Sequence, residues 1–362
     1  MRVLMLYRPR LPGQRAQALQ TVHMAQALAR AGHTVTLLAD RGDEPATPAA
    51  ALARFGLSPC ATLDLRIAPI RQRGLAGLWF RRELSRWWSG PPGVVYARDL
   101  RRLVQALGVS DAAVDGSDKR RHRVIVEVHG QGAQAGEAVA DESVLAIESA
   151  AARAADALVA NCEGTAAAWR AAHGVGALVV SHNATSPQRM RGPTPSDGVV
   201  RVVGSLRSYK GWSTVWAAAK MLSLPLELVG GRADELADPP PPGVSLRPPV
   251  PHHAVPDLLA RSAVLLLPLA NNRFGRELTS PLKLWDYLAT ATPLVLPELP
   301  SVQRALACVG TKADAHFYTP GQPQSLCAAV AAAAESPRRR PVVRSWDERV
   351  GELMCVLTGN PA

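Results

Sequence analysis

The chain has 362 residues, of which 47% are hydrophobic and 20% charged, and these proportions exclude a disordered or fibrous protein. Its length exceeds the size at which one hydrophobic core usually stops growing, so two domains of roughly 150 to 200 residues are expected. The net charge of +11 would attract nucleic acid, anionic lipid or phosphate-rich ligands.

Membrane spans, secretion signals and disulfide frameworks are not indicated. The longest apolar runs, such as AVLLLPLA at 263–270, are far shorter than the ~20 residues of a membrane-spanning helix. The first residues, MRVLMLY, lack the long apolar middle and cleavage site of a signal peptide. The five cysteines lie far apart and form no CxxC pair, which argues against disulfides or structural zinc. These features predict a cytoplasmic protein.

The first half of the chain alternates strands and helices. Residues 2–7 predict a buried strand, 16–31 a helix and 34–39 a second strand, with Gly32 at the helix end. This order opens a doubly wound sheet, in which ligands bind at the carboxyl ends of the strands. Further strands are predicted at 93–98, 123–130, 156–161 and 177–183.

The second half repeats the alternation after a break. Residues 187–198, PQRMRGPTPSDG, predict a linker, and the proline-rich stretch 239–256 predicts a rigid loop. Strands are predicted at 199–204, 226–231, 263–269 and 293–297, with a helix at 281–290. We therefore expect an α/β fold with two Rossmann-like domains, residues 1–190 and 199–344, facing across a cleft.

The stretch SPLKLWDYLATATPLVLPELPS, 280–301, places a single acid, Asp286, in an apolar helical run where nothing local pairs it. Pro281 suits the first helical position, and free amides at a helix N-terminus bind anions. An acid one and a half turns further along can reach a ribose hydroxyl beyond a bound phosphate. The alternative is that Asp286 is a solvated helix residue.

The same stretch resembles the donor-site segment of glycosyltransferase family 4, in which a loop leads into a helix with an acid and a proline-bounded apolar strand. The resemblance implies that Asp286, in the position usually held by glutamate, binds the ribose of a nucleotide sugar. It also implies that the loop at Ser280, Pro281 and Leu282 holds the diphosphate. Glu277 is one residue too far from Asp286 for the family's Glu-x7-Glu spacing, and its expected contact is the donor sugar.

The stretch VGSLRSYKG, 203–211, resembles the family's loop after the first strand of the C-terminal domain. The resemblance implies that Lys210 is the diphosphate-binding lysine. Ser205 stands where the family's arginine commonly follows the glycine, so Arg207 is the substitute. Departure of a nucleoside diphosphate needs positioned cations and dipoles. Arg207 and Lys210 are expected to supply that charge without a metal, and no cofactor is expected.

The N-terminal half matches the family in the same order. MRVLMLYRPRLPG implies that Gly13 lies in a loop near the donor sugar, and VIVEVHG implies that His129 is the active-site histidine that hydrogen-bonds this sugar. Arg98 and Glu127 are expected on the acceptor side. SWDERV resembles the start of a closing helix, 345–360, that returns to the N-terminal domain. Val250 and His252 are expected to face the nucleotide base.

The resemblance implies a retaining glycosyltransferase with the GT-B architecture. Such an enzyme moves a sugar from a nucleotide sugar to a hydroxyl acceptor, which is a polysaccharide, a lipid-linked glycan or a secondary metabolite, and no nucleic acid partner is expected. Such enzymes lack an obvious protein nucleophile, so the leaving diphosphate itself would help to deprotonate the acceptor. A nucleotide-sugar 2-epimerase uses the same fold. A nicotinamide dehydrogenase is disfavoured because no G-x-G-x-x-G follows either first strand. A non-catalytic basic protein that binds nucleic acid or acidic lipid is the remaining alternative.

The stretch RQRGLAGLWFRRELSRWWSG, 71–90, combines arginines with Trp79, Phe80, Trp87 and Trp88. A helix with arginine and tryptophan near its ends suits an anionic membrane surface, so peripheral membrane contact is one interpretation. The stretch would equally form a lip of the acceptor pocket. The third interpretation is a helix of the N-terminal domain that packs through its aromatic residues.

Overall fold

The computed structural model of the protein describes residues 1–13, 16–108, 121–130, 142–206, 210–231, 235, 240–310 and 315–359. The chain divides into two compact units. The first comprises Met1–Ser181 with Trp346–Ala362, and the second comprises His182–Ser345.

The first unit is a parallel sheet with helices. Its strands are β1 (Arg2–Leu6), β2 (Arg10–Leu11), β3 (Thr34–Arg41), β4 (Leu63–Ile67), β5 (Val94–Ala97), β6 (Arg123–Val128), β7 (Ala157–Ala160) and β8 (Leu178–Val180). Its helices before the second unit are α1 (Ala16–Arg30), α2 (Pro48–Ala53), α3 (Arg73–Trp88), α4 (Leu100–Leu107), α5 (Glu142–Ala154) and α6 (Glu163–His173). The strand order is β2-β3-β1-β5-β6-β7-β8, and β4 also pairs with β3.

The sheet of the first unit follows from its apolar strands. Val3, Leu4 and Leu6 of β1 are almost fully buried, as expected for a central parallel strand covered on both faces. Helix α1 ends before Gly32, whose φ of +86° is the left-handed conformation that favours glycine at a helix end. The predicted strands and this helix end are therefore present. The carboxyl ends of β1, β3, β5 and β6 lie at one edge of the sheet.

The second unit contains another parallel sheet. Its strands are β9 (Val200–Val203), β10 (Leu226–Val229), β11 (Val244–Arg247), β12 (Val264–Leu266), β13 (Leu294–Pro297) and β14 (Ala315–Tyr318). Its α-helices are α7 (Trp212–Ala219), α8 (Val255–Arg261), α9 (Arg273–Glu277), α10 (Leu282–Leu288), α11 (Pro300–Ala307) and α12 (Pro323–Glu335). The order β11-β10-β9-β12-β13-β14 is the 3-2-1-4-5-6 order of nucleotide-binding doubly wound folds.

The last helix, α13 (Trp346–Thr358), belongs to the first unit. Trp346 stacks on His23 of α1 with ring centroids 6.1 Å apart, and Asp347 pairs with Arg30 at 2.8 Å. Arg349 is completely buried in this unit. Helix α13 thus covers α1 and places a cation in the interior.

The boundary between the units lies earlier in the chain than the predicted linker at 187–198. The second unit begins at His182, and Arg189, in the short 3₁₀ helix Pro187–Arg189, is only 7% exposed. Arg189 belongs to the second unit and not to a linker because it hydrogen-bonds to Asp286 and to the carbonyl oxygen of His252, both in that unit. The proline-rich stretch 239–256 also differs from the prediction of a loop, because it contains β11.

Helix α3 packs through its aromatic residues. Phe80 and Trp87 are 4% and 7% exposed, and Trp79 and Trp88 pack against the same core cluster. The exposed apolar side chains of this helix are instead Leu75 and Leu78. Within the described residues, no helix is both long and apolar enough to cross a membrane.

Candidate active site

Two lysines meet at the end of the first strand of the second unit. Strand β9 is followed by Gly204, whose φ of +129° is a conformation that side chains rarely adopt. The point where a Cβ would stand on Gly204 lies 2.5 Å from Nζ of Lys283 and 3.4 Å from Nζ of Lys210. Two ammonium groups therefore lie at the carboxyl edge of the sheet, where doubly wound folds bind their ligands.

Lys210 is held in place by its backbone neighbours. The side chain is 8% exposed, and Nζ donates a hydrogen bond to the carbonyl oxygen of Ser205 at 2.5 Å. The ammonium also lies 6.0 Å from the centre of the Trp212 ring, at the limit of a cation–π contact. Ser205 thus enters the site through its carbonyl group. Arg207, the other predicted diphosphate ligand, lies outside the described residues.

Lys283 is a site residue that the sequence analysis missed. It lies in the first turn of α10, and burial lowers the pKa of its ammonium to about 8, although the carboxylate of Asp286 opposes the shift. No hydrogen bond or ion pair joins this ammonium to another residue in the described part of the chain. The available signal was its spacing, since positions 283 and 286 are neighbours on one helix face.

The hydrogen-bond partners of Asp286 come from distant positions in the chain. Arg189 donates from Nε to Oδ1 at 2.8 Å and from Nη2 to Oδ2 at 3.2 Å, and the Thr185 hydroxyl donates to Oδ1 at 2.7 Å. Burial favours a raised pKa for Asp286, but the charge of Arg189 and the Thr185 hydrogen bond lower the pKa overall. The carboxylate is therefore ionised and held by a bidentate arginine. Its Oδ2 accepts a single long hydrogen bond, so it retains capacity for a further donor.

The loop before α10 is fixed from inside the second unit. The Ser280 hydroxyl accepts the backbone N–H of Asn183 at 3.1 Å, and Asn183 Nδ2 donates to the Ser280 carbonyl at 2.6 Å. Pro281 precedes the first helical residue, Leu282, so it stands one position earlier than predicted. The Ser280 side chain is thereby a buried structural element of the loop, and its diphosphate contact remains a prediction.

Glu277 precedes the loop that leads to α10. It is the last residue of α9 and its side chain is exposed. A contact with the donor sugar stays a prediction. In the described part of the chain, no group of three or more His, Cys, Asp or Glu side chains is arranged to hold a metal ion.

Glu127 forms the centre of a buried network in the first unit, a role that the acceptor-side expectation did not foresee. Its side chain is 3% exposed and lies in β6. Oε1 accepts from Gln20 at 2.8 Å and from Arg349 at 3.0 Å, and Oε2 accepts from the Tyr96 hydroxyl at 2.6 Å. Burial favours a raised pKa for Glu127, but the charge of Arg349, the contact with His129 and the charge of Arg98 together hold the pKa well below its usual value.

His129 lies at the carboxyl end of β6 and contacts the same carboxylate. Its Nε2 is 2.7 Å from Oε1 of Glu127, and its side chain is 22% exposed. Burial, together with the charge of Arg98, lowers the pKa of His129 to about 4. The imidazole is therefore neutral at pH 7. Because an ionised carboxylate only accepts, the single N–H belongs to Nε2, and Nδ1 carries the free lone pair.

Arg98 and Gly13 lie at the same sheet edge. Arg98 follows β5, donates to the carbonyl oxygen of Gln17 at 3.4 Å and has its guanidinium 5.6 Å from the centre of the Tyr7 ring. A Cβ on Gly13 would stand 2.3 Å from the carbonyl oxygen of Arg10, so only glycine fits this turn. The functional roles predicted for both residues remain predictions.

Solved structures share this fold over nearly the whole chain. A sucrose-phosphate synthase from Thermosynechococcus elongatus has a TM-score of 0.68 at 15% identity, covering 99% of this chain and 96% of that one. Anabaena HepE, solved in complex with UDP-glucose, has a TM-score of 0.67 at 15% identity, with 99% and 100% covered. No curated protein matches the sequence. The two Rossmann-like units therefore have the GT-B glycosyltransferase fold, as predicted.

A family model matches part of the sequence. Residues 17–189 match the family model Glycosyltransferase Family 4. The resemblance drawn from the motifs is thus confirmed over this part of the chain.

Proposed function

We propose that the protein is a retaining hexosyltransferase that moves a sugar from a nucleoside diphosphate sugar to a hydroxyl group of an acceptor. The observation that carries the proposal is the meeting of Lys210 and Lys283 beside Gly204, at the ligand-binding edge of a sheet with the nucleotide-binding strand order. Two convergent ammonium groups fit a diphosphate better than they fit a neutral ligand.

The proposed reaction breaks the bond between the anomeric carbon and the diphosphate oxygen. The new bond joins the anomeric carbon to the acceptor oxygen, on the face from which the diphosphate leaves. The acceptor proton passes to the departing diphosphate. Charge grows on the diphosphate as the bond breaks, and positioned cations stabilise that charge. Lys210 and Lys283 would supply the positive charge that balances it, and Arg207 is a further candidate. The proposed chemistry therefore needs no metal ion or other cofactor.

The remaining assignments concern the two ends of the nucleotide sugar, its ribose and the sugar that is transferred. Asp286, held by Arg189, would accept a ribose hydroxyl on Oδ2, because that oxygen has spare acceptor capacity. His129 would accept a hydroxyl of the sugar on Nδ1. UDP-glucose is the first donor to test, since HepE was solved with it.

The test is release of the nucleoside diphosphate from UDP-, GDP-, dTDP-, ADP- and CDP-sugars. Lys210→Ala should reduce turnover by on the order of 10² to 10³, as loss of a transition-state charge donor does. Lys220→Ala, which removes the same charge from the exposed end of α7, should leave turnover unchanged. Equal turnover in Lys210→Ala and the wild type would contradict the proposal.

A peripheral contact with an anionic membrane is proposed for the outer face of α3. Leu75 and Leu78 are 45% and 61% exposed there, and the side chains of Arg81 and Arg82 are exposed beside them. Apolar side chains flanked by arginines suit an anionic lipid surface. Sedimentation with phosphatidylglycerol vesicles should carry down the wild type and leave Leu78→Glu in solution. Equal sedimentation of the two proteins would contradict the contact.

A further inference from the structure

The first unit contains a cavity lined mainly by arginines. Its volume is about 470 Å³, within the range of small-molecule sites. Among the residues that the structure describes, five guanidinium groups and a single carboxylate line it, beside Ile70 and Ala76. The charged lining residues are Arg8, Arg10, Asp40, Arg41, Arg71 and Arg102.

The cavity lies at the edge of the sheet where ligands of doubly wound folds bind. Arg10 and Arg41 come from β2 and from the end of β3, which pair in parallel. Arg71 lies two residues before α3, and Arg102 lies in the first turn of α4, the helix that follows β5. The start of the arginine-rich stretch 71–90 therefore forms one wall, which agrees with its interpretation as a lip of the acceptor pocket.

Three of the arginines are fixed by acids. Arg8 binds Asp40, with Nε 2.6 Å from Oδ1, and Arg102 lies 3.0 Å from the carboxylate of Asp99. The guanidinium carbons of Arg8 and Arg102 each lie 5.0 Å from the centre of the Phe80 ring. Arg71 is paired with Asp43.

The charges of the other two arginines, Arg10 and Arg41, are not balanced by an acid in the described part of the chain. Arg41 donates to the carbonyl oxygen of Pro69 at 3.1 Å, a neutral partner, and Arg10 is exposed. No ion pair joins either of them to an acid within the described ranges. Like charges that line one cavity repel each other, and a bound anion would relieve this repulsion.

Phosphate is the anion that this lining fits best. The planar guanidinium donates paired hydrogen bonds to phosphate and carboxylate oxygens, and a phosphate dianion balances both uncompensated charges. The volume leaves space for a sugar ring beside the phosphate. The single lining acid, Asp40, is already held by Arg8.

We propose that the cavity binds a phosphate group carried by the acceptor substrate, with Arg10 and Arg41 as its principal ligands. The acceptor role rests on the proposed glycosyl transfer, whereas phosphate binding by the cavity does not. The acceptor class is therefore a phosphorylated sugar or another phosphomonoester that also presents a free hydroxyl group.

The test is a thermal-shift panel at constant ionic strength with inorganic phosphate, glycerol 3-phosphate, glucose 6-phosphate, glucuronate and glucose. The phosphorylated organic compounds should raise the midpoint more than inorganic phosphate does, and glucuronate and glucose should not raise it. Because hydrogen bonds from a guanidinium to a phosphate are charge-assisted and strong, the double variant Arg10→Gln/Arg41→Gln should bind at least ~10-fold more weakly.

Two controls separate this site from charge in general and from the donor site. Arg101→Gln/Arg304→Gln removes the same two charges from exposed positions on α4 and α11 and should keep the phosphate response. Lys210→Ala should keep it as well. If these variants lose the response as the cavity variant does, the cavity assignment is overturned.

The remaining outcomes are equally decisive. Absence of any shift with the phosphorylated compounds, or an equal shift with glucuronate, overturns phosphate recognition. An inorganic phosphate response as large as that of glucose 6-phosphate overturns the acceptor role. If the cavity responds as predicted while no nucleotide sugar is turned over, phosphate recognition stands and the proposed transfer fails.

Discussion

At the scale of single residues, the two candidate regions share one feature. Each contains a buried carboxylate whose oxygens accept hydrogen bonds from residues distant in sequence. Glu127 is bound by Arg349 and Asp286 by Arg189. In each case the carboxylate is ionised, and its geometry is fixed by a guanidinium. A ligand can also reach the group beside each carboxylate, which is His129 in the first unit and Lys283 in the second.

The protonation of His129 is the first prediction. The imidazole should be neutral between pH 5.5 and 8, because burial and Arg98 lower its pKa to about 4 while Glu127 opposes the shift. Arg349 and Tyr96 face the same carboxylate, and neither changes charge in this range. In ¹⁵N-labelled protein, with His129→Gln for assignment, Nε2 should carry the proton. A titration midpoint near 6.5, or a proton on Nδ1, would contradict this account.

The charge of Lys283 is the second prediction. Its pKa of about 8 means that the ammonium deprotonates as the pH rises through 8, so affinity for a nucleoside diphosphate should fall above that pH. Asp286, whose pKa is lowered, stays ionised there. His252, whose pKa burial lowers to about 4, is already neutral. Calorimetry between pH 6.5 and 9.5 measures the effect.

Lys283→Met is the informative variant for this pH dependence. It should bind more weakly at pH 7 and should lose the decline centred near pH 8. If the decline persists unchanged in Lys283→Met, another group causes it and the assignment of Lys283 is wrong.

At the scale of elements, α13 contributes the cation that balances Glu127. Arg349→Met leaves the carboxylate buried without its partner, which should cost about 3–5 kcal/mol of unfolding free energy in urea. Arg30→Gln breaks the exposed pair with Asp347, and such surface pairs contribute only about 0–1 kcal/mol. Similar small losses in both variants would mean that α13 is not a structural support of Glu127.

The elements also explain what the sequence could and could not predict. Central strands were predictable because both faces are buried and the residues form apolar runs, as in β1 and β9. Strands β11 and β14 were missed because they lie at the sheet edges and carry exposed residues, such as Phe317. Their pattern therefore resembles a loop.

The candidate site was predictable only in part, for a physical reason. Lys210 and His129 follow apolar strands, so local sequence placed them at a sheet edge. The partners of Asp286 and Glu127 are brought together by the fold from distant positions, and no local pattern specifies them. Arg189 was assigned to a linker because its neighbours include prolines and a glycine.

At the scale of the whole molecule, part of the positive charge lines two small sites. The arginine cavity of the first unit and the lysine pair of the second both lie at the carboxyl edges of their sheets. A general binder of nucleic acid would depend on charge over a broad surface, and its affinity would fall steeply with salt. The proposed glycosyltransferase instead uses small, specific sites for phosphate groups.

The central claim is that the second unit binds a nucleoside diphosphate through its lysine pair. The direct measurement is a thermal-shift panel with UDP, GDP, dTDP, ADP and CDP on the wild type, Lys210→Met/Lys283→Met and the exposed control Lys220→Met. At 100 times its dissociation constant, a ligand adds ~2.7 kcal/mol of stability. We expect one diphosphate to raise the midpoint of the wild type and the control by a few degrees, and to leave the double variant unchanged. An equal rise in all three proteins, or none with any nucleotide, would contradict the claim.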